Sequence, residues 1–190
     1  MFTGIIQAQG NIQEIRISNK GAVFVLNSNS LDLSDVSIGD SIAVNGVCLT
    51  VTQLDKNSFS SDVSQETLNC STFSQLKKGQ NINLEKSLRL NQGIDGHLVS
   101  GHVDGVGEVV SLQKEGESTR LIIKVNKDLS KYIAKKGSIC INGVSLTVNA
   151  VETDFFDVNL VPHTLSVTTL GELIENSRVN IEIDIIARHI

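Results

Sequence analysis

The sequence contains 190 residues, carries a net charge of −5 and is 40% hydrophobic. A chain of this length forms one large domain or two small ones, with enough apolar residues for a core. The acidic balance argues against nucleic-acid binding, which usually needs a basic face. There is no signal-peptide pattern, no run near the ~20 apolar residues of a membrane span, and no CxxC spacing among the three cysteines. We therefore expect a soluble cytoplasmic protein without a disulfide framework and without a membrane partner.

Short runs rich in β-branched residues predict strands along the whole chain. The stretches "AVFVLNS", "SIAVNGVCLTV" and "QNINLEKS" lie in the first half, and "RLIIKV", "SICINGVSLTV" and "RVNIEIDI" lie in the second. The Asn-Gly pairs tolerate the positive φ of a tight hairpin turn. The segments "TFSQLKKG" and "TLGELIEN" predict short helices with Thr72 and Thr169 as N-caps. Pro162 stands where a strand should end.

The two halves of the sequence are copies of each other. The stretch from Ser41 to Val51 recurs 97 residues later with eight of eleven positions identical. The same offset relates Gly4 to Gly101, Asn83 to Asn180, and Glu85 to Glu182. A register that holds over so many separated positions predicts two copies of one fold, joined near residues 88–97. We divide the chain into domains 1–97 and 98–190, each a small β-barrel or sandwich.

The strand after each Asn-Gly turn alternates aliphatic and small polar residues. The aliphatic residues suit a barrel interior, so Cys48 and Thr50 in one copy, and Ser145 and Thr147 in the other, should face outward. These faces are either solvated surface or sites where hydroxyl groups bind the polar edges of a ligand. Cys48 itself is either a nucleophile or an inert buried thiol.

Two titratable groups interrupt the repeat. His102 stands opposite Ile5 of the first copy, and Asp184 stands opposite Ser87. The spacing of His97 and His102 places them on opposite faces of a strand, which disfavours a shared metal. Each group is either an ordinary surface residue or a sign that the two copies have different tasks.

Seven motifs together resemble the riboflavin synthase family, in order and over nearly the whole chain. They are "MFTGII", "NGVCLTV", "DVSQETL", "GHLVSGHVDG", "KGSICINGVSLTV", "NLVPHTL" and "VNIEIDIIA". The resemblance implies an all-β fold of two tandem six-stranded Greek-key barrels with short helices, each barrel binding one lumazine. It implies a transferase that converts two molecules of 6,7-dimethyl-8-ribityllumazine into riboflavin and 5-amino-6-(D-ribitylamino)uracil, without a metal or redox cofactor.

The resemblance also assigns residues to two pockets. The first would contain Gly4, Ile5, Ile6, Cys48, Leu49, Thr50, Asp62, Val63, Ser64, Gln65, Glu66 and Thr67. The second would contain Gly101, His102, Val103, Lys136, Ser145, Leu146, Thr147, Asn159, Leu160, Val161, Pro162, His163 and Thr164. The implied catalytic residues are Cys48, His102, Ser145, Thr147 and Asp184. Among these, His102 and Thr147 would manage protons, Ser145 and Cys48 would assist nucleophilic addition or orientation, and Asp184 would polarise one of them.

The family assembles as a homotrimer, with the active site between the N-terminal barrel of one subunit and the C-terminal barrel of a neighbour. A C-terminal amphipathic helix, beyond the final "DIIARHI" of this sequence, helps to hold that trimer. Lumazine synthase is a candidate protein partner. The alternative is a non-catalytic fluorescent lumazine- or flavin-carrying protein, which alters the second Gly-His segment or the hydroxyl-bearing strand. Both segments are intact here, which favours the enzyme.

Overall fold

The structure, a computed structural model, describes residues 1–189 and consists mainly of antiparallel β-strands. The strands of the first unit are β1 (Ala8–Ser18), β2 (Gly21–Asn27), β3 (Ser41–Val44), β4 (Val47–Thr50), β5 (Gln53–Leu54), β6 (Ser58–Ser64) and β7 (Asn81–Lys86). Those of the second are β8 (Gly105–Glu115), β9 (Ser118–Lys124), β10 (Ser138–Ile141), β11 (Val144–Glu152), β12 (Phe155–Leu160) and β13 (Arg178–Ile183). Residues 88–97 contain no strand or helix, and the division after residue 97 remains our proposal.

The second unit is a closed barrel in the order β10-β11-β12-β9-β8-β13. Strands β10, β11 and β12 are consecutive and linked by hairpins. Strand β9, which reaches β10 through a long connection, lies beside β12, and this arrangement is a Greek key. The first unit repeats the order, but the strand equivalent to β11 is divided at Val51 and Thr52 into β4 and β5. Six strand positions therefore carry seven strands, and we call the two units the first and second barrels.

The Asn-Gly turns have the geometry that the sequence predicts. Asn45 and Gly46 have φ values of 46° and 81°, and Asn142 and Gly143 have 47° and 83°. Two successive positive φ angles are typical of the type I′ turn, whose twist matches that of the paired strands. The aliphatic residues after each turn point into the barrels, where each unit has a separate hydrophobic core.

Helices are short and lie mostly outside the sheets. They are α1 (Gln65–Cys70), α2 (Lys127–Ser130), α3 (Pro162–Val167) and α4 (Ile185–Arg188), with 3₁₀ turns at Thr72–Gln75 and Thr169–Glu172. The predicted N-caps were wrong by one residue, because Ser71 and Thr168 accept the capping hydrogen bonds. Pro162 follows the end of β12 and begins α3, as expected. No helix within residues 1–189 has the length and apolar composition needed to cross a membrane.

Each barrel is preceded by an arm that crosses to the other barrel. We call residues 2–6 the first arm and residues 99–103 the second arm. Phe2 and Val99, equivalent in the repeat, pair through two backbone hydrogen bonds of 2.7 and 3.0 Å. Both side chains are fully buried in a small cluster with Ala43 and Cys140. The two arms therefore meet on the pseudo-twofold axis that relates the barrels.

Four buried asparagines join the barrels along the same axis. The Asn83 amide nitrogen donates to the Asn142 carbonyl at 2.9 Å, and the Asn180 amide nitrogen donates to the Asn45 carbonyl at 2.8 Å. The Asn83 side-chain oxygen accepts from the Thr169 backbone at 2.8 Å. Each of these bonds connects one barrel to the other, so the network fixes their relative orientation.

Replacing Asn83 by alanine should destabilise the chain by about 2–4 kcal/mol, because the Asn142 carbonyl and the Thr169 N–H lose their partners in a buried site. Urea unfolding measures the effect. The control is Asn91→Ala in the exposed connector, which should stay within about 0.5 kcal/mol of wild type. Equal stabilities of the two variants would contradict the role of the network.

Candidate functional site

The crossed arms lie against the strands that carry the small polar residues. The Ser145 N–H donates to the Gly4 carbonyl at 2.7 Å, and the Cys48 N–H donates to the Gly101 carbonyl at 2.8 Å. Gly4 and Gly101 have φ values of +78° and +82°. A Cβ on Gly4 would lie 2.5 Å from the Ser145 Cβ, and one on Gly101 would lie 2.6 Å from the Cys48 Cβ. Both the approach and the backbone conformation therefore require glycine.

The arrangement corrects the sequence-based grouping of residues. The family resemblance groups Gly4–Ile6 with Cys48, and Gly101–Val103 with Ser145. In the structure Ile6 packs against the core of the second barrel and Val103 packs against the core of the first. The grouping implied by the resemblance assigns each arm to its own barrel, but the pairing of the arms on the axis directs each one to the opposite barrel.

A cavity of about 360 Å³ lies beside Ser145, and we call it the Ser145 pocket. Its lining residues from the second barrel and α3 are Ser138, Ser145, Leu146, Thr147, Asn149, Asn159, Val161 and Thr164. Ile5 from the first arm and Asp95 and Gly96 from the connector complete it. Six of the eight barrel and α3 residues carry a hydroxyl or amide close to apolar surface, which is typical of a small-molecule site.

His97, the residue after the pocket-lining Gly96, is a side-chain hydrogen-bond partner of Ser145. The His97 Nδ1 and the Ser145 Oγ are 2.6 Å apart. Burial lowers the pKa of His97, and the negative charge of Asp184 opposes that shift. The ring is therefore neutral near pH 7 and can accept the Ser145 hydroxyl proton at Nδ1, which fixes the direction of the hydroxyl. The Nε2 of His97 is buried and has no hydrogen-bond partner among the described residues.

The equivalent face of the first barrel carries different chemistry, and we call it the Cys48 face. The second arm places His102 next to Gly101, so an exposed imidazole follows directly on the residue that bonds to Cys48. The arm position that holds His102 here holds Ile5 at the Ser145 pocket. Thr50 is exposed on the same strand, and Asp62–Thr67 occupy the positions that correspond to Asn159–Thr164.

Several predicted site residues do not line the Ser145 pocket. The side chains of Leu49, Val63 and Leu160 are buried in the barrel cores, so only their backbones can contact a ligand. Lys136 is exposed, is not among the residues that line the Ser145 pocket, and has a left-handed φ of +67°. Asp184 follows the end of β13 and caps α4 by accepting the Ile186 N–H at 3.0 Å.

The connector residues Asp95, Gly96 and His97 were missed as part of the site. They have no counterpart in the first copy, because the same offset would place them before Met1. A search of the repeat for matched positions could not find them. A Cβ on Gly96 would lie 2.0 Å from the Thr3 carbonyl oxygen and 2.9 Å from the Ser145 Cβ, so glycine is required where the connector passes the site.

Comparison with known proteins agrees with this duplicated arrangement. The lumazine binding domain family matches residues 3–87 and 100–184. Among curated relatives, the riboflavin synthase of Photobacterium leiognathi is 46% identical over 190 residues, which covers 100% of this chain and 87% of the relative. The riboflavin synthase of Bacillus subtilis (strain 168) is 40% identical over 189 residues, with the same coverage of 100% and 87%.

Solved structures show the same architecture. LumP complexed with 6,7-dimethyl-8-(1'-D-ribityl) lumazine has a TM-score of 0.85 and 29% sequence identity. LumP complexed with riboflavin has a TM-score of 0.86 and 30% identity. Each comparison covers 96% of this chain and 99% of the LumP chain. On its sequence and its fold, the chain belongs to the riboflavin synthase family and contains two copies of the lumazine binding domain.

Proposed function

We propose that the chain converts two molecules of 6,7-dimethyl-8-ribityllumazine into riboflavin and 5-amino-6-(D-ribitylamino)uracil by transfer of a four-carbon unit. The observation that carries the proposal is the pair of equivalent faces with unequal reactive groups. Cys48 lies with His102 on one face, and Ser145 lies with Ile5 and His97 on the other. A reaction between two identical molecules needs such a difference, because one molecule must give what the other accepts.

The chemistry requires a base and a site for an anion. The 7-methyl group of the lumazine is acidic because its carbanion is delocalised into the ring system. The exposed imidazole of His102 is our candidate for the base that removes that proton. The other lumazine must be made electrophilic by addition of a nucleophile, and the hydroxyl of Ser145 and the thiol of Cys48 are the candidates. Close approach of the two rings then raises their effective concentration.

The Ser145 pocket has the composition that a ribityllumazine requires. Its volume lies within the ordinary range of about 300–1,000 Å³ for ligand sites. Thr147, Asn149 and Asn159 offer hydrogen bonds to the ring edge or to the hydroxyls of the ribityl chain. Ile5 and Val161, each nearly half exposed, provide apolar surface at its rim. This exposed apolar rim is a reason to propose that a neighbouring subunit of a homotrimer completes the active site.

The second candidate function is that of a carrier that binds the same ligands without converting them. It is favoured by the LumP structures, whose complexes contain the lumazine and riboflavin. Incubating the chain with 6,7-dimethyl-8-ribityllumazine and following riboflavin absorbance separates the two functions. Formation of riboflavin together with the uracil product supports the enzyme, whereas ligand binding with altered fluorescence and no riboflavin supports the carrier.

The variants His102→Ala and Cys48→Ser test the Cys48 face. Loss of a positioned base should lower kcat for His102→Ala by about 10²-fold. Cys48→Ser should also lower the rate, since a hydroxyl is a weaker nucleophile than a thiol at neutral pH. Cys70→Ser, which changes an exposed cysteine at the end of α1, is the matched control and should retain wild-type kinetics. Full activity of both site variants would reject this assignment.

Replacing Lys136 tests whether this residue contributes to ligand binding although its backbone conformation is unfavourable for a lysine. Its left-handed backbone favours glycine, and its counterpart Gly39 has φ +98°. Lys136→Gly should leave stability unchanged or raise it by up to about 1 kcal/mol, while ligand affinity falls. Lys135→Gly is the control and should leave affinity unchanged. Unaltered affinity of Lys136→Gly would remove Lys136 from the site.

The lowered pKa of His97 predicts a pH-dependent contribution to stability. The unfolded state, with a pKa of about 6.5, binds a proton more readily than the folded state. The contribution is therefore present above about pH 6.5 and is lost as the pH falls towards the lower folded pKa. The stability difference between wild type and His97→Gln, measured by urea unfolding at pH 7.5 and pH 5, should shrink at the lower pH. A difference that grows at pH 5 would contradict this sign.

A further inference from the structure

Two buried carboxylates occupy equivalent positions that no catalytic step uses. Glu85 on β7 and Glu182 on β13 are 3% and 4% exposed. The Oε1 of Glu85 accepts the N–H and the hydroxyl of Thr3, both at 2.7 Å, and its Oε2 accepts the Gly4 N–H at 3.1 Å. Glu85 thus receives three hydrogen bonds from the arm of its own barrel.

Glu182 repeats these contacts in the second barrel. Its Oε1 accepts the N–H and the hydroxyl of Ser100 at 2.6 and 2.7 Å, and its Oε2 accepts the Gly101 N–H at 2.9 Å. The Ser100 hydroxyl oxygen in turn accepts the His102 N–H at 3.1 Å. Glu182 therefore holds the two backbone N–H groups that come directly before His102 in the chain, those of Ser100 and Gly101.

The hydrogen bonds continue into the opposite barrel. Gly4 donates its N–H to Glu85 of the first barrel and accepts the Ser145 N–H of the second barrel with its carbonyl. Gly101 donates to Glu182 of the second barrel and accepts from Cys48 of the first. Two hydrogen bonds in series thus connect each carboxylate to the ligand face of the other barrel.

Burial of a carboxylate is costly unless its oxygens are hydrogen-bonded. Desolvation raises the pKa of both glutamates, and the bonds from the arms oppose that shift. The arms lie outside the barrel strands, and only one isolated bridge joins them to each other. The carboxylates are therefore the side chains that hold the backbone N–H groups of Gly4 and Gly101 by hydrogen bonds.

We propose that Glu85 and Glu182 are crossed positioning residues, each of which fixes from its own barrel the glycine backbone that lines the ligand face of the opposite barrel. Glu85 positions Gly4 at the Ser145 pocket. Glu182 positions Gly101 at the Cys48 face and orients His102. The consequence for ligand binding rests on the proposed function, whereas the crossed restraint itself is a property of the fold.

The variants Glu85→Gln and Glu182→Gln test the restraint selectively. Glutamine keeps one acceptor oxygen for Thr3 or Ser100 and presents an amide NH₂ group to the N–H of Gly4 or Gly101, so the link to the opposite barrel is lost. Amide hydrogen exchange of the whole chain, followed by NMR, reports on each link. Glu85→Gln should accelerate exchange at the Ser145 amide by at least tenfold and leave the Cys48 amide unchanged. Glu182→Gln should do the reverse, so each variant is the control for the other.

Exchange that increases equally at both amides, at neither, or only at the amide in the variant's own barrel would overturn the proposal. If a glutamine variant fails to fold, Glu85→Asp and Glu182→Asp retain the charge and shorten the reach, and the same crossed pattern is expected.

Titration with riboflavin is the second readout. Glu85→Gln should weaken the ligand at the Ser145 pocket by about tenfold, and Glu182→Gln should weaken the ligand at the Cys48 face. If each variant accelerates exchange only at the amide in the opposite barrel and the wild-type chain forms no riboflavin, the positioning proposal stands and the proposed reaction is rejected.

Discussion

The four asparagines on the pseudo-twofold axis are the contact on which the rest of the structure depends. Each unit has its own hydrophobic core, and the small apolar cluster of Phe2, Ala43, Val99 and Cys140 between them is non-directional, so it leaves rotational freedom between the barrels. Directional hydrogen bonds from Asn83 to Asn142, and from Asn180 to Asn45, remove that freedom. Because Gly4 and Gly101 reach the opposite barrels over the same axis, a rotation of one barrel would break both ligand faces at once.

The scaffold is duplicated more faithfully than the chemistry that it carries. The turns, the arm glycines, the buried glutamates and the axial asparagines are the same in both copies. The differences collect where a ligand would lie, at Cys48 and Ser145 and at Ile5 and His102. The connector adds a further difference, since His97 contacts the Ser145 pocket and has no equivalent at the Cys48 face. Duplication thus provides two similar faces, and we propose that their unequal side chains give them different tasks.

Much of the fold could be predicted from the sequence because local rules determine it. The Asn-Gly turns, the alternation after them and the constant offset of the repeat predict the hairpins, the inward residues and the two copies. The crossing of the arms could not be predicted, because hydrogen bonds such as that between Gly4 and Ser145 join residues far apart in sequence. His97 was missed for a similar reason, since three strands (β8, β9 and β10) separate it in sequence from its partner Ser145. The missed caps at Ser71 and Thr168 are smaller errors, in which one hydroxyl residue was chosen and its neighbour accepted the bond.

We propose that one chain offers two ligand faces with different environments. A lumazine that lacks the 7-methyl group cannot lose the proton that the reaction requires, so it should bind without being converted. When the 6-methyl group of this lumazine is labelled with ¹³C, the NMR spectrum of the bound ligand should contain two methyl signals, and two ligands should bind per chain. Ser145→Ala should shift one signal and Cys48→Ser the other. A single signal, or one signal that responds to both substitutions, would contradict the account.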